Sequence, residues 1–160
     1  MAYALQAMLK IRAMKEDQAQ ASLALARGAR QQAEVELQKK AEDLINYEAG
    51  KDERRDRVFA TVMGKVVQMD TLDRVRSAVA SIDEEGVLLA EAERKAQENV
   101  KHKEELVEQA RLSFVVASKN REKIVQHRAL WEEEERKELE RIADNEMDEF
   151  AGRKVAGYDD

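Results

Sequence analysis

Two interleaved seven-residue repeats run through the second half of the chain and constrain its fold more than any other feature. One series starts at Val75 and the other at Leu72, so their members alternate three and four positions apart. Eight of ten positions in the first series and six of eleven in the second are apolar. Because this is the spacing of the a and d positions of a coiled coil, the repeats predict a helix from about residue 71 to 150 that packs on a second helix.

A weaker stripe of the same kind crosses the first half and predicts a helix from about residue 2 to 63. Alanine supplies most of its middle, so the two backbones can approach closely there. Segment 51–57 has no apolar residue, which is typical of a solvated, ion-paired helix face. The stripe consists of Leu5, Met8 or Leu9, Ile11, Ala19, Leu23, Ala26, Ala33, Leu37, Ala41, Leu44, Val58 and Val62.

The expected break between the helices is a turn at about residues 64–70. Gly64 suits a left-handed cap at the end of the first helix, and Asp70 suits the N-terminal cap of the second. Gly50 and Gly86 are competing turn sites. A turn centred near residue 67 predicts that facing residues have numbers adding up to about 134, which brings the start of the chain, at Tyr3 and Leu5, against Trp131.

The sequence therefore predicts an all-α fold, a long antiparallel coiled-coil hairpin of two helices. Residues after about 132 have no facing residues on the first helix, so the end of the second helix is expected to extend beyond it. Leu139, Ile142, Met147 and Phe150 keep helical spacing there, and either a contact surface or a frayed charged end fits this pattern. The final segment, 152–160, is expected to be disordered.

Composition excludes several other classes of protein. The 160 residues include no proline and no cysteine, and 39% are charged, with a net charge of −6. Such a chain favours long helices over sheets, and it has no disulfide or thiol chemistry. No stretch is apolar enough to span a membrane, and the acidic balance disfavours nucleic acid as the main partner.

No motif of an enzyme, a metal site or a cofactor site is present. The two histidines, His102 and His127, lack the Glu-x-x-His spacing of a di-iron bundle, so both are interpreted as surface residues. Carboxylates are plentiful, but acid or base catalysis needs a pocket that shifts their pKa. We therefore expect no enzyme, no cofactor and no metal.

Two apolar features near the ends of the hairpin remain. Trp131 occupies a seam position near the open end and is interpreted as a knob that closes it, with direct contact to a partner as the alternative. Five apolar residues lie around the expected turn, where polar residues are usual, and they either pack on each other or dock a partner. These turn residues are Met63, Val66, Val67, Met69 and Leu72.

The opening of the chain resembles the start of the YscO/FliJ family, the central-stalk proteins of type III secretion systems. Residues 5–19 (LQAMLKIRAMKEDQA) place apolar residues three or four apart among Arg and Lys. The run from Trp131 (WEEEERKEL) to Phe150 (EMDEF) is similar to the acidic C-terminal segment of the family. Overall similarity favours the YscO-like branch of virulence injectisomes over the flagellar branch.

The resemblance implies a mechanical function in protein export. Such a stalk sits at the cytoplasmic base of the apparatus, in the pore of a hexameric secretion ATPase, and links it to the export gate. Secretion chaperones are a further candidate partner, and we expect a monomer in isolation. The implied ATPase-binding residues are Leu5, Leu9, Arg12, Lys15, Glu135, Leu139 and Ile142. The implied export-gate residues are Met63, Val66, Val67, Met69, Leu72 and Val75.

Two other functions fit the same seam. A coiled-coil scaffold or adaptor that dimerises in parallel would show the same periodicity, and an elongated dimer would favour it. A chaperone-like holdase would use the flexible Met- and Ala-rich helices, and it would need to bind several unfolded clients.

Overall fold

Two long α-helices make up most of the chain. The structure, a computed structural model, describes residues 3–156, with side chains described as far as residue 151. Helix α1 comprises Gln6–Ala60 and helix α2 comprises Met69–Ala156. They pack against each other as an antiparallel hairpin, and the described range contains no strand, so the predicted all-α hairpin is confirmed.

The chain reverses direction through residues 61–68, and Gly64 marks the reversal. Its φ is +71°, a left-handed conformation that glycine adopts without the steric cost of a Cβ. Just before it, the Thr61 hydroxyl donates to the Val58 carbonyl at 2.7 Å and satisfies a carbonyl at the end of α1. Gly64 therefore has the capping conformation that the sequence predicts.

The start of α2 differs from the expectation. The carbonyl of Gln68 accepts hydrogen bonds from the backbone N–H groups of Thr71 at 3.0 Å and Leu72 at 3.3 Å, so the helix begins at Met69. Asp70 therefore lies inside the first turn and is not the cap. Its carboxylate is still well placed, because negative charge near a helix N-terminus is favourable.

The far end of α2 also differs from the expectation. Residues 152–156, expected to belong to a disordered tail, are helical. No proline interrupts the backbone hydrogen bonds in this segment, and one glycine costs a helix only about 1 kcal/mol. Residues 157–160, the rest of that expected tail, lie outside the described part of the chain.

Contacts divide the chain into two units. The turn unit is Ser22–Arg111, and the terminal unit combines Met1–Ala21 with Leu112–Asp160. On α1 the buried and half-buried positions recur every three or four residues from Leu9 to Val58. On α2 both heptad series form the inward face, except for a few exposed members that include Leu72 and Arg121. The helical seam predicted from the repeats is thus the face that packs.

The core of the turn unit contains a close fit between Tyr47 and Gly86. The Tyr47 side chain is only 7% exposed, and its hydroxyl donates a hydrogen bond to the backbone carbonyl of Ile82. A Cβ atom built on Gly86 would lie 2.6 Å from Cε1 of the Tyr47 ring. Gly86 therefore makes the space that the tyrosine occupies, which is why this heptad position lacks a side chain.

Ion pairs flank Tyr47 across the two helices. Arg54 contacts Glu85 at 2.7 Å and Arg55 contacts Asp83 at 3.0 Å. Lys51 lies 5.8 Å and the Arg54 guanidinium 5.9 Å from the centre of the Tyr47 ring. Segment 51–57 is thus ion-paired, as its composition predicts. It is less solvated than expected, because Arg54 and Arg55 are half-buried and reach α2, whereas Arg57 pairs with Glu53 of its own helix.

An aromatic cluster closes the terminal unit. Tyr3 is 8% exposed and its ring centre lies 5.3 Å from that of Trp131. The Tyr3 hydroxyl is hydrogen-bonded to Nδ1 of His127 at 2.8 Å. The predicted contact between the start of the chain and Trp131 is confirmed. The register derived from a turn near residue 67 also accounts for the Tyr47–Gly86 contact in the turn unit.

Candidate functional site

Five of the seven residues implied to bind the ATPase fall into two groups, and the other two, Leu5 and Leu9, are half-buried. Arg12 and Lys15 line one groove of the terminal unit, between α1 and α2. Glu135, Leu139 and Ile142 do not line it, because they lie further along α2. The first group therefore belongs to a surface formed by both helices, and the second to the end of α2 alone.

We call the first surface the terminal groove. It has a volume of about 440 Å³, and its other lining residues come from α2. Leu112 and Val116 supply apolar surface to it, and both are exposed. The α2 lining residues are Leu112, Ser113, Val116, Ala117 and Asn120. The groove thus combines an apolar wall with two cations and no acid, in a chain whose net charge is negative.

The two cations of the terminal groove are not neutralised by neighbours. Within the described residues neither Arg12 nor Lys15 takes part in an ion pair. The nearby Glu16 forms an ion pair with Arg121 of α2 instead, at 2.6 Å. The hydrogen bond from Arg121, with a second from Ser118, lowers the pKa of Glu16, so Glu16 stays ionised on Arg121. Among the described residues, Arg12 and Lys15 thus lie in the groove without an ion-pair partner.

The second surface is the end of α2, residues 132–151, which we call the α2 extension. Leu139, Ile142, Met147 and Phe150 are exposed on it. Its charged side chains pair along the same helix, as in Glu133–Lys137 at 2.8 Å and Glu138–Arg141 at 2.6 Å. These pairs lower the pKa of both glutamates. The extension is therefore a regular helix with apolar side chains that contact solvent.

The turn carries a third exposed apolar surface. Met63, Val66 and Met69 are exposed and Leu72 is partly so, whereas Val67 is half-buried. Val75 was included among the export-gate residues, but it is buried in the seam against α1. It belongs to the first heptad series and faces inward, so it supports the turn from inside and is not available for contact.

One residue of this turn surface was missed from the sequence. Phe59 is exposed on the last turn of α1, where Asp56, Ala60 and Met63 line a groove of about 400 Å³ with it. The helical spacing of residues 56, 59, 60 and 63 could have indicated this face. Phe59 lies outside the predicted stripe, which continues through Val58 and Val62 on the side of the other helix.

Neither a metal-binding cluster nor a membrane-spanning helix occurs among the described residues. No group of three or more His, Asp or Glu among them could hold a metal ion. The carboxyl groups with lowered pKa values owe the shift to Arg or Lys partners at helix surfaces, as Glu91 does to Arg94. No helix in the described range is long and apolar enough to cross a membrane.

The fold defines a class of protein, the long hairpins of two packed α-helices. The family model of Type III secretion protein YscO matches residues 5–153. The chain therefore belongs to the YscO family, as its opening and its acidic C-terminal run predicted. A search of the curated proteins gave no significant match.

A solved structure supports the fold independently. The structure described as that of a YscO homologue, CT670 from Chlamydia trachomatis, is similar with a TM-score of 0.77 at 18% identity. The similarity covers 100% of this chain and 99% of that chain. At this level of identity the likeness shows that the two chains share the helical hairpin fold.

Proposed function

We propose that this chain is the central stalk of a type III secretion system. The terminal unit enters the pore of the hexameric secretion ATPase, and the exposed turn surface contacts the export gate. The chain acts by binding and positioning these partners in the cytoplasm, at the base of the apparatus, and it catalyses no reaction itself. Secretion chaperones are further candidate partners of the same surfaces.

The observation that carries the proposal is that each unit has its own exposed surface on a hairpin of the YscO family. The terminal groove offers Arg12 and Lys15 beside apolar side chains, and the α2 extension offers Leu139 and Ile142. A ring of six subunits around one asymmetric hairpin cannot make six identical contacts. We therefore expect the contacts with the ring to be weak at each site and largely polar.

The turn surface suits a different partner. Phe59, Met63, Val66 and Met69 lie exposed within a short stretch of chain, and exposed apolar patches of this kind commonly mark protein-binding sites. Methionine adapts its shape to irregular partner surfaces. The turn surface therefore fits the export gate in this proposal, with Phe59 added and Val75 removed from the residues implied by the resemblance.

The test is ATP hydrolysis by the cognate secretion ATPase, titrated with this chain, together with the fraction of ATPase that is hexameric. The proposal expects both to rise. Replacing Arg12→Glu and Lys15→Glu together should weaken ATPase binding by roughly tenfold or more, because two attractive charges become repulsive. Circular dichroism should show unchanged helicity.

A matched control separates position from net charge. Arg27→Glu with Lys39→Glu changes the same residue types on exposed positions of α1, but in the turn unit. This control should bind and stimulate like the unaltered chain. Equal losses in both variants would remove the terminal groove from the proposal. No stimulation by the helical, unaltered chain would favour a scaffold or a holdase.

A further inference from the structure

The groove beside Phe59 belongs to one exposed face at the end of α1. Asp56, Phe59, Ala60 and Met63 line the groove, and Asp52 is exposed one turn before Asp56. The backbone N–H of Met63 donates to the Phe59 carbonyl at 3.0 Å, so Met63 keeps the helical spacing just beyond the end of α1. Positions 52, 56, 59, 60 and 63 therefore share one side of the helix, which we call the outer face.

The charges of segment 51–57 are divided between two sides of α1. Each of its four cations has an acidic partner, and the pairs are Lys51–Asp83, Arg55–Asp83, Arg54–Glu85 and Arg57–Glu53. Asp52 and Asp56 take part in no ion pair among the described residues. The next cation along the chain, Lys65, donates to the Thr61 carbonyl at 3.3 Å. The outer face thus keeps two carboxylates beside its apolar groove.

This combination indicates the chemistry of a partner that fits the outer face. A large apolar side chain in the groove would bury the exposed surface of Phe59 and Met63. The carboxylates of Asp52 and Asp56 attract a basic segment and repel an acidic one. From residue 52 to residue 63 the face is roughly 16 Å long, at about 1.5 Å per residue. A short segment with Lys or Arg before or after a large apolar residue matches both halves of it.

We propose that the export-gate segment that binds the turn surface is basic and amphipathic. Its Lys or Arg side chains contact Asp52 and Asp56, and its large apolar side chain enters the groove beside Phe59. The inference rests on the proposed link to the export gate and adds what selects the segment. Phe59 supplies the anchor, because apolar side chains in pockets carry most of the binding energy, and the two aspartates determine specificity.

The charge of the outer face also distinguishes it from the terminal groove. The terminal groove carries Arg12 and Lys15 and no acid, whereas the outer face carries two acids and no base. A basic segment that suits the outer face is therefore repelled at the terminal groove. Since like charges disfavour wrong partners, the two surfaces can select different partners although both are partly apolar.

The experiment is isothermal titration calorimetry of the full chain with the cytoplasmic part of the cognate export-gate protein. It is run at roughly 50 and 300 mM NaCl, because added salt screens exposed charges. Binding should weaken as salt rises. Asp52→Lys with Asp56→Lys should weaken binding by about tenfold or more at the lower salt concentration, and added salt should no longer weaken it.

A matched control separates position from net charge. Glu36→Lys with Asp43→Lys makes the same change in net charge at exposed positions of α1 in the turn unit. This control should bind like the unaltered chain, and equal losses in the two double variants would overturn the inference. Unchanged binding by Asp52→Lys with Asp56→Lys would overturn it too, while the link to the export gate would stand. No binding by the unaltered chain would overturn both.

The apolar half of the proposal has its own variant. Phe59→Ala should weaken binding by about tenfold or more at both salt concentrations, because apolar burial is not screened by salt. Leu25→Ala is the control, since Leu25 is 76% exposed on the same helix and Phe59 is 44% exposed. Equal binding by these two variants would reject Phe59 as the anchor. Circular dichroism should show unchanged helicity in every variant.

Discussion

Tyr47 and Tyr3 are buried almost equally, at 7% and 8% exposure, but they serve the two units differently. Tyr47 lies within α1, its ring fills the space left by Gly86, and cross-helix ion pairs surround it. Tyr3 lies before the first residue of α1 and packs beside Trp131. Equal burial therefore accompanies a close steric fit in the turn unit and a terminal aromatic cluster in the other.

The difference separates a site where contacts between α1 and α2 stabilise the hairpin from a surface whose side chains stay exposed. Around Tyr47, apolar fit and ion pairs are satisfied between α1 and α2. In the terminal unit, Arg12, Lys15, Leu112 and Val116 keep polar and apolar capacity that the chain itself does not use. The variants below test this contrast, from the largest expected effect to the smallest.

Truncation of the two tyrosines should separate the units most clearly. Tyr47→Ala should lower the free energy of unfolding by about 3 kcal/mol, as buried aromatic truncations do. Tyr3→Ala should cost about 1 kcal/mol or less, because the start of the chain can fray without opening the rest. Urea denaturation followed by circular dichroism measures both. Equal losses would show that the two clusters contribute alike.

Gly86→Ala should destabilise the chain by about 2 kcal/mol, because the new methyl group overlaps the Tyr47 ring and the core must shift. The matched control is Gly28→Ala, where a Cβ meets no atom within 4 Å. That control should stabilise the helix by up to about 1 kcal/mol, since alanine is the better helix former. Thermal denaturation of the pair decides the matter, and stabilisation by both variants would contradict the close fit.

Tyr47→Phe should cost about 1 kcal/mol, because it removes only the hydrogen bond to the Ile82 carbonyl. Tyr3→Phe removes the bond to His127, an exposed residue that water can satisfy instead, so its cost should be smaller. Denaturant midpoints of the two variants give the comparison. A larger loss from Tyr3→Phe would reverse the ranking of the two clusters.

Acid should weaken the terminal unit through Glu16. The hydrogen bond from Arg121 keeps the pKa of Glu16 below its ordinary value of 4.5. A lowered folded-state pKa stabilises the fold fully above that ordinary value, and the stabilisation is lost as the pH falls through the lowered pKa. The gap in Tm between the unaltered chain and Glu16→Gln should therefore be small at pH 7, as for most exposed pairs, and should close in acid. A gap that persists at low pH would assign it to packing.

Much of this molecule could be predicted from periodicity alone. The heptad series from Val75 and Leu72 indicated the packed face of α2, and Gly64 indicated the turn. Periodicity could not place the start of α2, because Gln68 accepts the first hydrogen bonds through its backbone carbonyl, a group that every residue has. It also could not show that Gly86 makes room for the Tyr47 ring, since a glycine at a seam position does not indicate which side chain packs against it.

The candidate site was less predictable, for a related reason. Arg12 and Lys15 could be named from the resemblance, but Leu112 and Val116 come from α2, a hundred residues away along the chain. Only the register of the two helices brings them into one groove. Val75 shows the converse, since its place near the turn suggested contact with a partner whereas its place in the repeat buries it.

The Gly86 contact has a consequence for how the two helices find their alignment. A heptad seam looks the same after a slide of seven residues, so apolar spacing alone allows several alignments. A slide of that length would bring Tyr47 against Val79 or Glu93, and neither leaves room for the ring. The missing side chain at Gly86 thus selects one register of the two helices among several that the apolar spacing alone would allow.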